Sequence, residues 1–97
     1  MTILQFLERL KQTPRDWQLR AFNPNQPAKL IRRGYPWQCP ISSLLGKNAA
    51  QFWDASIELG LLGHDANVIA SAADASASHD SELREQLLEA CGLAKGE

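Results

Sequence analysis

The sequence predicts an all-α fold, a compact bundle of four or five short helices with an irregular middle segment rich in proline and aromatic residues. Three observations lead there. Apolar residues recur at helical spacing in several stretches of the chain. Leu59-Gly60-Leu61 and Cys91-Gly92-Leu93 read as two uses of one helix stop, a glycine followed by a leucine that folds back. The one β-rich run, AKLIRR from Ala28 to Arg33, finds no second such run to pair with.

In chain order, Ile3, Phe6, Leu7 and Leu10 place a helix over about 3–12, with Thr2 and Gln5 as a capping box. TPRD then restarts the pattern. Thr13 fits an N-cap, Pro14 the first helical position, and Asp16 the positive end of the helix dipole. This second helix carries Trp17 and Ala21 on one side and stops before Asn23-Pro24. NPNQP reads as a loop, and AKLIRR as an extended segment or brief helical turn. In GYPWQCP both Tyr35 and Cys39 precede prolines, which favours extended backbone. PISSLLG reads as one helical turn begun by Pro40.

The strongest helix runs from Lys47 to Leu59, with Ala49, Phe52, Trp53, Ser56, Ile57 and Gly60 following one face. GHD makes a corner, and Asp65 caps a small-residue helix through Ala73. DASASHD is a short loop. Asp80 or Ser81 caps the last helix, whose apolar stripe is Leu83, Leu87, Ala90 and Cys91. Phe6, Trp17, Phe22, Phe52 and Trp53 are the expected bulk of the core.

The chain has 97 residues, which predicts one helical domain over 1–97. Such a domain buries roughly 60–65% of its unfolded surface, enough for one small core. Hydrophobic residues make up 44% and charged residues 22%, a globular composition rather than a disordered one. Glu8 and Arg9 interrupt the N-terminal apolar stretch too early for a signal peptide or membrane span, so a cytoplasmic location is expected. A disulfide between Cys39 and Cys91 is not expected in that compartment.

The net charge of −1 conceals a polarity. Residues 1–47 hold eight bases and two acids, whereas residues 48–97 hold nine acids and two bases. Either the halves neutralise one another on folding, or they serve charged partners, including further copies of the chain associating head to tail.

Sites with bond-making chemistry find little support. Ser78, His79 and Asp80 are consecutive, so their side chains diverge where a catalytic triad must converge. Cys39, His64, His79 and Cys91 have zinc-ligand types, but spacings of 25, 15 and 12 lack the close pairs of structural zinc sites. No glycine-rich phosphate loop is present, and no metal or other cofactor is expected. The chain reads as a non-enzymatic protein.

RRGYPWQCP, from Arg32 to Pro40, is the most unusual stretch. Lys29, Arg32, Arg33, Tyr35 and Trp37 are the candidate partner-binding residues, because arginine, tyrosine and tryptophan dominate protein interfaces. Glu82, Glu85 and Glu89 on the last helix form a second, acidic candidate face. The alternative function for segment 29–37 is nucleic-acid binding, with cations on phosphates and aromatics stacked on bases. A third reading makes the segment a structural clamp.

RRGYPWQCPISSLL, followed by LGL, AAD and the closing LREQLLEACGL, resembles a type of short uncharacterised phage or prophage protein over residues of about 30–93. The resemblance implies a small accessory protein that binds and redirects a host protein in the host cytoplasm, as inhibitors of host defence and anti-repressors do. It assigns no functional residues.

Overall fold

The computed structural model describes residues 1–21, 25, 28–35, 39–74 and 81–93. The expectations placed on Phe22, Pro36, Trp37, His79 and Asp80 lie outside these residues.

The fold is not all-α. Among the described residues, five helices pack around a two-stranded antiparallel sheet. The helices are α1 (Ile3–Lys11), α2 (Pro40–Leu44), α3 (Phe52–Leu59), α4 (Gly63–Asp74) and α5 (Ser81–Ala90). The strands are β1 (Trp17–Arg20) and β2 (Lys29–Arg32).

The expected second helix is the source of the correction. Pro14–Asp16 makes a single 3₁₀ turn, and the chain then extends. The TPRD start signal yields only that turn, and the Thr13 side chain makes no cap hydrogen bond to it. WQLR is instead the partner that AKLIRR lacked. Trp17 pairs with Arg32, Gln18 with Ile31, Leu19 with Leu30 and Arg20 with Lys29. The Arg33 N–H donates to the Asp16 carbonyl at 2.7 Å and carries the ladder one step further. Trp17, Leu30 and Ile31 are all buried, so tertiary burial outweighs the local cap signal.

The helices form for the reasons their sequences give. Thr2 Oγ1 accepts from the Gln5 N–H, and Gln5 Oε1 accepts from the Thr2 N–H, closing the capping box of α1. After α3, Gly60 adopts φ +72°, the Gly60 N–H donates to Ile57 O, and the Leu61 N–H donates to Ser56 O. After α5, Gly92 (φ +73°) and Leu93 repeat the arrangement on Glu89 O and Leu88 O. These are Schellman stops, in which a left-handed residue lets two backbone N–H groups reach free carbonyls. α2 ends in the same pattern, with the Gly46 and Lys47 N–H groups on Ser43 O and Ser42 O.

Two helix starts differ from the sequence reading. The segment from Lys47 opens with a 3₁₀ turn at Ala49–Gln51, and α3 proper begins at Phe52. α4 begins at Gly63, so Asp65 lies inside its first turn rather than capping it.

The core joins Phe6, Leu7 and Leu10 of α1, Trp17, Leu30, Ile41, Ile69 of α4, and Leu83, Leu87 and Cys91 at α5. α2 is short and lies in the middle, packed on β2, α3 and α4. Its Ser42 and Ser43 are fully buried, and Ser43 Oγ donates to Cys39 O at 2.9 Å. A small residue holding its hydroxyl on its own backbone lets neighbouring elements approach closely without an orphaned polar group.

Candidate functional site

The basic segment emerges from β2 into a tight turn. The Tyr35 N–H donates to Arg32 O at 2.9 Å, with Gly34 at φ +88° inside the turn. That geometry sends Arg32 and Arg33 to different surroundings.

Arg32 turns onto the fold. Its Nη1 donates to Ser43 O at 2.5 Å and Leu44 O at 3.4 Å, the carbonyls at the end of α2. Its Nη2 lies 3.9 Å from Asp16 Oδ2, and its guanidinium carbon sits 5.3 Å from the centre of the Tyr35 ring. Arg33 is exposed, yet its Nε donates to Arg15 O at 3.0 Å and its Nη1 to Gln18 Oε1 at 2.9 Å. Lys29 Nζ is 3.7 Å from Asp74 Oδ1 at the end of α4. Trp37 lies outside the described residues. Lys29, Arg32 and Arg33 therefore each meet groups of the protein itself, and Arg32 does so most fully.

Sequence reasoning missed Arg84, which plays the same part at the other end of β2. Its Nη1 donates to Ala72 O at 2.9 Å and Ala73 O at 3.2 Å, and its Nη2 to Ala28 O at 2.7 Å. One guanidinium thus ties the end of α4 to the residue before β2. Burial pulls Arg84 below its ordinary pKa, while Asp74 pulls the other way. The available signal was that Arg84 is the lone cation of a helix otherwise carrying acids.

On α5, Glu82, Glu85 and Glu89 all face outward, beside the buried Leu83 and Leu87. Cys39 and Cys91 are free thiols. Cys91 is buried, and desolvation pushes its pKa up to about 12, so it is a core residue rather than a nucleophile. Among the described residues no cluster of three or more His, Cys, Asp or Glu side chains could hold a metal ion.

The second correction concerns α3. Trp53 and Ile57, expected in the core, are 54% and 74% exposed. The buried face carries Ala55 and Ser56 instead, with Phe52 and Leu59 half-buried. α2 packs against α3, and its own Ser42 and Ser43 are fully buried. The bulky Trp53 and Ile57 lie on the exposed flank. Trp53 meets Phe52 edge-on, with ring centres 4.9 Å apart. Its Cζ3 lies 3.6 Å from where a Cβ on Gly63 would sit, so the indole covers the start of α4. Leu62, the residue before Gly63, is 72% exposed.

Trp53, Ile57 and Leu62 thus present bulky apolar side chains at the α3–α4 corner. The N-terminal amine of Met1 donates to Gly60 O, which brings the start of α1, with its exposed Leu4, to the same end of α3. Asp54 and Glu58 are exposed on the same helix, each one residue beyond its apolar neighbour. Lys47 Nζ is 3.3 Å from Glu58 Oε2.

Among the described residues no helix is long and apolar enough to cross a membrane. Compared with known proteins, the chain matches no family model, no curated protein and no solved structure.

Proposed function

We propose that this protein is a small non-enzymatic protein-interaction module, of the phage-type accessory class that binds and modulates a host protein in the cytoplasm. The observation that carries the reading is the α3–α4 corner, where the Trp53 ring reaches Gly63 and Trp53, Ile57 and Leu62 are each exposed. Single exposed apolar residues are ordinary; bulky ones grouped around a tryptophan have the make-up of an interface anchor. The described part of the basic segment, 29–35, is then chiefly a clamp, because Arg32 is bonded to the end of α2. Arg33 remains exposed and supplies a secondary contact on the hairpin side.

Two measurements test this. Fluorescence anisotropy with labelled DNA and RNA, at low and near-physiological salt, is expected to show no salt-steep binding; steep salt dependence abolished by Arg33→Ala would establish the nucleic-acid reading instead. A pull-down from host lysate with the native chain and with a Trp53→Ala/Ile57→Ser variant is expected to retain a protein only on the native chain. Equal retention by both would remove the corner from the function.

A further inference from the structure

Resting on that reading, we infer that the α3–α4 corner takes a cationic amphipathic helix of a partner protein. Trp53 and Ile57 are one helical turn apart and form an apolar row along α3. Asp54 and Glu58 form a parallel acidic row beside it, displaced by one residue. Both rows repeat at i, i+4, a rise of about 6 Å along the axis. A partner helix lying along α3 with apolar and basic residues each at i, i+4 meets both rows in the same register.

The signs of the charges choose the class of partner. Asp65, in the first turn of α4, adds a third carboxylate near the corner. Lys47 is bonded to Glu58, and the Met1 amine to the carbonyls ending α3. The pair is partly solvent-exposed, Lys47 at 28% and Glu58 at 58%, and a pair that water reaches is weak and exchanges for a partner's cation. Carboxylates beside an exposed tryptophan repel nucleic-acid phosphates and anionic lipid surfaces, while they attract lysine and arginine.

The test uses the full chain, isotope-labelled, titrated with designed helical peptides that share leucine anchors at i, i+4. One peptide carries lysine beside the leucines, one glutamine and one glutamate. The lysine peptide is expected to shift the Trp53 indole resonance and those of Ile57 and Leu62. Trp53→Ala is expected to weaken binding about thirtyfold, the size of an interface hot spot. Asp54→Asn with Glu58→Gln is expected to weaken it about threefold to tenfold at low salt and to flatten its salt dependence. Equal binding of all three peptides at Trp53 would refute the cationic preference while leaving a docking corner. Lysine-peptide shifts centred on Glu82, Glu85 and Glu89 would move the site to α5 and overturn the inference. If no peptide perturbs Trp53, the corner fails both as a cation-selective site and as a docking face. A molecular mass that rises with concentration, and falls back in Trp53→Ala, would make a second copy of the chain the occupant and overturn the inference too.

Discussion

Replacing Arg32 with alanine is expected to destabilise the fold, while replacing its neighbour Arg33 is not. Arg32 reaches Ser43 O at 2.5 Å, Leu44 O at 3.4 Å, Asp16 at 3.9 Å and the Tyr35 ring at 5.3 Å. A hydrogen bond from a charged donor contributes about 1.5–3 kcal/mol, and the low end applies because Ser43 O also accepts from the Gly46 N–H. The ring contact contributes about 0.5–1 kcal/mol. The Asp16 pair is half-exposed and contributes about 0–1 kcal/mol. Sharing one side chain, these contributions do not add fully, and the loss comes to about 2–3 kcal/mol. For a chain of this length that lowers Tm by about 10–20 °C. Arg33→Ala removes two exposed bonds and is expected to cost less than about 1 kcal/mol. Arg32→Lys keeps a charge but not the planar fork, and belongs between the two. Thermal and urea unfolding followed by circular dichroism measures all three. An Arg32→Ala midpoint within about 3 °C of the native one would refute the clamp.

Arg84→Met is expected to cost about 2–3 kcal/mol and to accelerate hydrogen exchange together in the last turn of α4 and in β2, since one guanidinium bonds Ala72, Ala73 and Ala28. Faster exchange in α4 alone would break the proposed link to the hairpin. Iodoacetamide is expected to modify the half-buried Cys39 in the native protein and to spare Cys91; equal rates at both thiols would contradict the burial of Cys91. Burial pushes the Cys91 thiol up to about 12 in the fold, against an ordinary value of 9.0. Between those values the native chain holds a proton that the unfolded chain has lost, so stability falls as pH rises, by up to about 1.4 kcal/mol per pH unit. Below that window the Cys91 contribution is constant. Cys91→Ala is expected to remove this part of the alkaline slope, and an unchanged slope would count against the shift.

Local signals with local causes were legible in the sequence. The capping box at Thr2 and Gln5, the glycine stops at Gly60 and Gly92, and the stripe of Leu83, Leu87, Ala90 and Cys91 each depend on residues within one or two turns. The hairpin was not legible, because its two strands lie eight residues apart in a chain where WQLR follows a strong helix-start signal. Nothing in WQLR by itself outweighs that signal; the burial of Trp17 against the rest of the core does. The face of α3 was misjudged for a related reason. Hydrophobicity favours burying Trp53 and Ile57, but the buried positions of α3 are held by the small Ala55 and Ser56. The clue in the sequence was an adjacent pair of small residues in a helix whose other residues are large or charged.

The charge polarity has a similar lesson. Among the described residues Lys29 pairs with Asp74 and Lys47 with Glu58 across the halves, and solvent reaches both pairs, so each contributes little. The arginines matter more through carbonyls than through acids. Arg32 closes the end of α2 and Arg84 the end of α4, and the two sit at opposite ends of β2. A helix terminus packed against a strand loses water from its last carbonyls, and a planar guanidinium can satisfy two or three of them at once. These two cations are turned onto the fold, while Asp54, Glu58, Glu82, Glu85 and Glu89 stay outward on α3 and α5. A net charge of −1 therefore understates the negative field that an approaching protein meets at those two helices, and at α3 that field borders the exposed Trp53.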